Sequence, residues 1–118
     1  MVDSYEDRED ACNHYIVTKF MPAGDLLNYL QKQPVQPLTE MHAKKIIRQV
    51  LEALEDLHEL RIVHRDIKVE NILMSDLSET ARVRIADFGS SIKLGSAEET
   101  TSFRIGTPGY IAPEIILG

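Results

Sequence analysis

The sequence predicts an α+β fold, because one long helical pattern is accompanied by several short runs of strand-like residues. The long helix is predicted over residues 39–60, and strands are predicted over residues 15–19 and 81–86. The chain has 118 residues, of which 43% are hydrophobic and 27% are charged, as in ordinary globular domains. This length suffices for one hydrophobic core, and no internal repeat or second domain is visible in the sequence.

The first elements are predicted to be short. Residues 15–19 are mostly apolar or β-branched and favour a strand, and residues 25–31 favour a short helix. Pro34 and Pro37 follow in a connector. Because proline has no backbone N–H and disfavours helix interiors, the connector separates the short helix from the long one.

The long helix is predicted from the spacing of its apolar residues, which repeat every three or four positions and so form one stripe. Thr39 is a candidate N-cap, and Glu40 follows in the first turn, where the helix dipole favours negative charge. The stripe contains Ala43, Ile46, Ile47, Val50, Leu51, Leu54 and Leu57.

A β-hairpin is predicted after the middle of the chain. Residues 72–74 are apolar, residues 75–80 are polar, and residues 81–86 alternate between apolar and other side chains. This pattern is typical of two short strands joined by a turn.

The charge distribution limits the expected partners. The formal net charge is −6, and the first ten residues contain five acidic residues and one arginine. This balance disfavours nucleic acid and anionic membranes as partners. We predict that residues 1–14 form an acidic, frayed N-terminal segment; a docking site for a basic partner is the alternative. No leader pattern and no apolar run of about 18 residues is visible, so we expect no membrane span and a cytoplasmic or nuclear location.

Residues 64–71 place three groups with complementary chemistry in one short segment. Asp66 is able to accept a hydroxyl proton, and Lys68 is able to neutralise a phosphoryl oxygen. Asn71 offers a neutral oxygen to Mg²⁺, and Asp87 supplies a carboxylate after a predicted strand. These residue types are those required for transfer of a phosphoryl group from ATP to a hydroxyl.

Four motifs in the expected order carry a family resemblance. They are HRDIKVEN at residues 64–71, DFG at 87–89, GTPGY at 106–110 and APE at 112–114. The chain therefore resembles the catalytic domain of eukaryotic-type serine/threonine protein kinases. Lys68 and the GTPGY motif point to the serine/threonine class rather than the tyrosine class.

The resemblance implies a partial protein kinase domain over residues 15–118. The expected parts are a hinge strand, a long αE-type helix, a catalytic loop, a β-hairpin and an activation segment, all belonging to the large, C-terminal lobe. The six glycines form no G-x-G-x-x-G loop, and no lysine precedes residue 15. We therefore expect the small lobe to be largely missing, and the distal helices of the large lobe to be absent as well.

The resemblance also implies site residues, with ATP and Mg²⁺ as cofactors. Asp66, Lys68 and Asn71 are the expected catalytic residues, and Asn71 and Asp87 the expected metal ligands. His64 is expected to pack against Phe88 and shape the loop. The residues expected to contact the nucleotide are Thr18, Lys19, Met21, Asp25, Glu70 and Leu73.

A regulatory role is implied for Arg65, which in the family pairs with a phosphorylated residue of the activation segment. The available acceptors are Ser96, Thr100, Thr101 and Ser102. Thr107 is expected to line the protein-substrate site by bonding Lys68 and Asp66.

Two interpretations of function remain open at this point. The first is a protein serine/threonine kinase that acts on a protein substrate. The second is a catalytically inactive fragment or pseudokinase-like interaction module, since the glycine-rich loop, the ATP-pairing lysine and the distal C-lobe are absent. On either interpretation we expect no detectable phosphate transfer from the 118-residue chain alone.

Overall fold

The computed structural model of the protein describes residues 3–6, 14–32, 38–96, 99 and 105–117. The three helices are α1 (Leu26–Gln31), α2 (Glu40–Glu59) and α3 (Pro113–Leu117). The strands are β1 (Asp3–Glu6), β2 (His14–Val17), β3 (Ile62–Val63), β4 (Ile72–Met74), β5 (Val83–Ile85) and β6 (Ile92–Lys93). Two 3₁₀ turns cover Val69–Asn71 and Phe88–Ser90.

The predicted long helix is present as α2. Thr39 is its N-cap, and the Thr39 hydroxyl accepts a hydrogen bond of 3.2 Å from the backbone N–H of His42. Leu60 is the C-cap. The helix therefore begins and ends one residue inside the predicted limits, with the two boundary residues serving as caps.

The apolar stripe of α2 contains both buried and exposed residues. Ile46 and Val50 are buried and belong to the core. Ile47 and Leu51, which lie beside them on the same stripe, are 52% and 59% exposed. The stripe is thus wider than the surface that the described part of the chain packs against it, so the sequence prediction of one stripe holds but only part of it is buried.

The core lies between α2 and the β4–β5 hairpin, which confirms the predicted hairpin. The two strands are antiparallel, with Ile72 opposite Ile85 and Met74 opposite Val83. Ile72 and Met74 are buried and Leu73 between them is less so, as expected when successive strand residues point to opposite faces. The buried core residues are Leu26, Tyr29, Ile46, Val50, Ile72, Met74, Ala81 and Val83.

Gln49 links α2 to the hairpin through both polar atoms of its side-chain amide. Its Nε2 donates to the backbone oxygen of Ala81 at 3.1 Å, and its Oε1 accepts from the backbone N–H of Val83 at 3.0 Å. The side chain therefore pairs one backbone group at the start of β5 and one in the turn that precedes it. The sequence pattern did not predict this contact.

Residues 3–6 differ from the expected frayed segment, because they are paired in a strand. Asp3–Glu6 form strand β1, which pairs antiparallel with β2 from Asp3 opposite Val17 to Glu6 opposite His14. The acidic residues do not prevent pairing, because the hydrogen bonds of a two-stranded ladder are formed by backbone groups. The pairing also joins residues on both sides of the predicted boundary at residue 15, and β2 ends at Val17 rather than at residue 19.

A second unpredicted pairing brings the two loops of interest together. Strand β3, which precedes residues 64–71, pairs with β6, which follows residues 87–89. Each of these strands has only two residues, so neither gives a recognisable periodic pattern. No helix in the described part of the chain is long and apolar enough to cross a membrane.

Replacement of Gln49 tests the link between helix and hairpin. We expect Gln49→Leu to lower the free energy of unfolding by about 1–3 kcal/mol, because Val83 N–H and Ala81 C=O lose their partner. Urea unfolding followed by circular dichroism measures the change. The same substitution at the exposed Gln31, at the end of α1, is the control and should have a much smaller effect. Equal losses for the two variants would contradict the role of the Gln49 amide.

Candidate active site

His64 is the buried support of the loop formed by residues 64–71. Its ring is 2% exposed and lies edge-on to Phe88, with 5.0 Å between ring centroids. Nδ1 accepts a hydrogen bond from the backbone N–H of Asp66 at 3.3 Å, so Nε2 carries the hydrogen that is donated to the backbone oxygen of Ala86 at 3.0 Å. The expected packing of His64 against Phe88 is therefore present.

Asp66 lies at the centre of the site, between Lys68 and Thr107. Its Oδ1 accepts from the Thr107 hydroxyl at 2.7 Å and from the Thr107 backbone N–H at 3.0 Å. Its Oδ2 lies 2.9 Å from Lys68 Nζ. Hydrogen bonding by the Thr107 hydroxyl, followed by that of Lys68, lowers the pKa of Asp66 from 3.8 to about 2.

Lys68 completes this three-residue contact. Its Nζ donates to the Thr107 hydroxyl at 2.7 Å, so the hydroxyl receives one hydrogen bond and gives another to Asp66. The hydrogen bond with Asp66 is the main reason that the pKa of Lys68 is raised, and the carboxylates of Glu70 and Asp87 contribute further. Lys68 is thus a protonated cation close to three carboxylates, and the expected contacts of Thr107 with both partners are present.

Asn71 is buried and oriented by Asp66. Its Nδ2 donates to the backbone oxygen of Asp66 at 2.9 Å and to Asp66 Oδ2 at 3.2 Å. Because the amide nitrogen is used in this way, the side-chain oxygen of Asn71 points in the other direction and is the atom available to a cation. The backbone oxygen of Asn71 accepts from Ala86 N–H at 2.8 Å, which ties Asn71 to the residue that directly precedes Asp87.

Asp87 occupies the start of the turn at Phe88–Ser90. Its backbone is left-handed, with φ of 60°, and its carboxylate accepts from Gly89 N–H at 3.2 Å. The residue is exposed. One carboxylate and one amide oxygen fit the ligand chemistry of Mg²⁺, which takes one or two protein ligands together with phosphate oxygens and water. Among the described residues, no three His, Cys, Asp or Glu side chains gather as a dedicated metal site would require.

Glu70 contributes a carboxylate oxygen that is buried beside the site. Its Oε2 has no hydrogen-bond partner within the part of the chain that the structure describes. A buried carboxylate oxygen without a donor is costly, so this atom faces a position that suits a donor or a cation.

The expected nucleotide residues fall into two groups. Thr18 and Lys19 are exposed in the segment after β2, and their expected contact with the nucleotide stays a prediction. Met21 is buried, and Asp25 is joined to Leu73 by an isolated β-bridge. Within the second group, Asp25 thus lies beside β4, and Glu70 lies in the 3₁₀ turn directly before that strand.

Asp25 has a structural task at this place. It is the N-cap of α1, where its Oδ1 accepts from the backbone N–H of Asn28 at 2.7 Å and lowers its own pKa in doing so. Its Oδ2 accepts from the Asn28 side chain at 2.5 Å. The expectation that Asp25 reaches a ribose hydroxyl remains a prediction.

Arg65 holds the start of the activation segment. Its Nε donates to the backbone oxygen of Ser90 at 2.5 Å, and its φ of 69° is left-handed. Of the expected phosphate acceptors, Ser96 is described and exposed. Thr100, Thr101 and Ser102 lie outside the described residues.

Gly106 permits the close approach of the activation segment to the loop. Its φ is 139°, and a Cβ built on it would lie 3.3 Å from the backbone oxygen of Arg65 and 3.1 Å from Ile111 Cγ1. A side chain here would push Thr107 away from Asp66. The sequence contained this glycine in the GTPGY motif, but sequence reasoning gave it no role of its own.

The chain belongs to the protein kinase domain family. The family match, described as "Protein kinase domain", covers residues 1–118. It therefore includes the N-terminal residues that sequence reasoning had placed outside the domain. This membership agrees with an α+β, kinase-like fold.

Relatives with serine/threonine kinase names match most of the chain. The probable serine/threonine-protein kinase 2 of Plasmodium falciparum is 40% identical over 102 residues, 86% of this chain and 19% of the relative. The calcium/calmodulin-dependent protein kinase type 1 of Macrobrachium nipponense is 37% identical over 116 residues, 98% of this chain and 32% of the relative. The liver/testis phosphorylase b kinase gamma catalytic chain of Mus musculus is 40% identical over 116 residues, 98% of this chain and 26% of the relative. The chain thus spans less than a third of the length of each of these relatives.

Replacement of Thr107 tests whether its hydroxyl is the main cause of the low pKa of Asp66. In Thr107→Val we expect the pKa of Asp66 to rise above about 2, because the strongest hydrogen bond is lost, and to remain below 3.8, because Lys68 is retained. Carbon-13 NMR titration of the Asp66 carboxyl group measures this pKa. Thr107→Ser keeps the hydroxyl and is the matched control. An unchanged pKa in the valine variant would show that another group stabilises the carboxylate.

The stability contribution of Asp66 should depend on pH. The folded-state pKa of about 2 lies below the ordinary value, so the ionised carboxylate stabilises the fold above about pH 4 and this stabilisation is lost as the pH falls toward 2. We therefore expect Asp66→Asn to lower the free energy of unfolding at pH 7 and to lower it less at pH 3. Urea unfolding at the two pH values measures the difference, and a pH-independent effect would be contrary to it.

Proposed function

We propose that the chain is the core of a protein serine/threonine kinase, which transfers the terminal phosphate of ATP to a serine or threonine hydroxyl of a protein. The observation that carries the proposal is the position of Asp66, whose carboxylate is fixed by Lys68 and Thr107. Family membership and the names of the relatives support it as well.

Asp66 is proposed to orient the attacking hydroxyl and to receive its proton. A carboxylate with a pKa of about 2 is ionised at neutral pH and is a weak base, so its first contribution is to accept the hydrogen bond of the hydroxyl and align its oxygen. In a loose phosphoryl-transfer transition state the hydroxyl becomes acidic late, when a weak base is sufficient.

Lys68 is proposed to stabilise the charge of the transferred phosphoryl group. Its Nζ lies 2.9 Å from Asp66 Oδ2. When a substrate hydroxyl is hydrogen-bonded to Asp66, the phosphoryl group that this hydroxyl attacks is therefore also within reach of the ammonium group. Thr107, which bonds both side chains, holds this pair in place and lines the site for the protein substrate.

Asn71 and Asp87 are proposed to hold Mg²⁺ through an amide oxygen and a carboxylate oxygen. Bound Mg²⁺ would neutralise charge on the phosphates of ATP. The protein's part is to fix the two ligands, which it does through the Asn71 bonds to Asp66 and the Ala86 bond to Asn71.

The nucleotide is proposed to lie along β4, beside the second group of expected contact residues. Leu73 is less buried than Ile72 and Met74, and its side chain points to the opposite face of the hairpin from theirs. Leu73 therefore suits the apolar floor of a nucleotide site. Asp25, which is bridged to Leu73, is proposed to contact the nucleotide here together with Met21 and Glu70. Thr18 and Lys19 are proposed to reach it through their backbone. An intracellular location, cytoplasmic or nuclear, is part of the proposal, because ATP is the phosphate donor.

A transfer assay tests this function in a completed domain. The small lobe and distal helices of one of the relatives are joined to this chain, and transfer from radiolabelled ATP to a protein substrate is measured. We expect Asp66→Asn and Asp87→Asn to reduce kcat by roughly 100-fold or more.

The control is Asp56→Asn, the same substitution on the exposed face of α2, which should leave transfer unchanged. Transfer that survives either active-site substitution would exclude the proposed role of that residue. A completed domain that transfers no phosphate with all residues intact would favour the inactive interaction module.

A further inference from the structure

One side of α2 carries a row of apolar residues that is open to solvent along most of the helix. Ile47 is 52% exposed and Leu51 is 59% exposed, and Ala43 and Leu54 extend the row in the two directions. We call these four residues the α2 face. They form the floor of a shallow groove that, within the part of the chain that the structure describes, is lined by residues of α2 alone. A contiguous apolar row of this kind marks a surface that a partner covers.

Charged residues flank the α2 face, and their sign changes halfway along the helix. Lys44 and Arg48 flank the first half, whereas Glu52, Glu55 and Glu59 flank the second half. All five residues are exposed. Glu59 ends the helix, where the helix dipole disfavours negative charge, so the stability of α2 itself does not account for this order of charges.

The cations of the first half are accessible to a partner. Lys44 Nζ lies 2.6 Å from the Glu40 carboxylate one turn earlier, but the two side chains are 71% and 82% exposed. An ion pair exposed to this degree holds its partners weakly, so Lys44 is able to contact a second carboxylate from outside.

We propose that the α2 face binds a second copy of this chain, with the two α2 helices antiparallel about a two-fold axis close to Leu51. In this arrangement Lys44 of each copy lies opposite Glu59 of the other, and Arg48 lies opposite Glu55. The two-fold axis repeats both contacts, as in every isologous dimer, so four attractive pairs surround one apolar strip. A parallel pair would instead place cations opposite cations and carboxylates opposite carboxylates.

The size of the α2 face predicts a weak dimer. The 20 residues of α2 span about 30 Å, and a helix presents a strip about 10 Å wide, so each copy contributes less than the roughly 800 Å² per partner of a stable complex. Association therefore depends on protein concentration. The interface leaves the residues around Asp66 free, because none of them lies on α2, and it does not require that the chain transfers phosphate.

Sedimentation velocity of the 118-residue chain at concentrations up to about 0.5 mM tests the proposal, and we expect a discrete monomer–dimer equilibrium. Two double variants each reverse the charges of one half of the groove. Lys44→Glu with Arg48→Glu makes both halves acidic, and Glu55→Lys with Glu59→Lys makes both halves mainly basic. We expect each variant alone to dimerise at least about tenfold more weakly, because four attractive pairs become repulsive.

An equal mixture of the two double variants should restore the dimer, because opposite charges then meet in both halves. Restoration also shows that both variants are folded. The controls are Lys45→Glu and Asp56→Lys, which reverse exposed charges of α2 outside the groove and should leave dimerisation unchanged. Leu51→Ser removes the central apolar contact without a change of charge and should weaken the dimer too, so it serves as the second variant if a double variant does not fold.

Three results would overturn the proposal: a chain that is monomeric throughout the concentration range, association that the double variants do not weaken, and a mixture that associates no better than either variant alone. A monomeric chain that binds the distal helices of one of the relatives, added as a separate polypeptide, would assign the α2 face to those helices and would equally overturn it.

Discussion

The arrangement of this protein depends on one contact, the carboxylate of Asp66 held by Thr107. The two residues are 41 positions apart, and their contact is the point at which the loop at 64–71 meets the end of the activation segment. A single carboxylate oxygen accepts both the hydroxyl and the backbone N–H of Thr107, so the contact fixes the backbone as well as the side chain. Without it, Lys68 would keep both Asp66 and the Thr107 hydroxyl as partners, but the backbone of Thr107 would lose its hydrogen bond to the loop.

A second layer of hydrogen bonds determines where Asp66 itself lies. His64 accepts its backbone N–H, and Asn71 donates to its backbone oxygen, so the peptide groups on both sides of the residue are paired within the loop. Both supporting residues are buried and are in turn tied to Ala86. A buried network in which the members hold one another has little freedom to reorganise, which is what pre-organised charge stabilisation requires.

The parts of this structure that the sequence predicted are those set by local patterns. Helix α2 was predicted within one residue at each end, because an N-cap threonine and three-to-four spacing are properties of a continuous segment. The pairing of β3 with β6 and of β1 with β2 was not predicted, since each depends on residues distant in sequence and on strands of two to four residues. For the same reason the site was predicted as a set of residues, from motifs, but its hydrogen bonds to Ser90 and Ala86 and the close approach of Gly106 to Arg65 were not predicted. The exposed residues of the α2 stripe show what a local pattern does not predict. Periodicity predicts which face of the helix is apolar, whereas the surface that packs against this face determines how much of it is buried.

The backbone at the corners of the site carries strain. Among the described residues other than glycine, three have a left-handed φ, and they are Arg61, Arg65 and Asp87. A left-handed conformation costs roughly 1–2 kcal/mol for such residues, so each must be maintained by its surroundings. Arg61 is held by Leu94 and Gly95, Arg65 by Ser90, and Asp87 by the turn that it caps. In each case the holding contact comes from the segment between residues 87 and 95, so the strain at the loop and the position of that segment are coupled. A change that releases the segment therefore acts on the backbone that positions Asp66 without touching Asp66 itself.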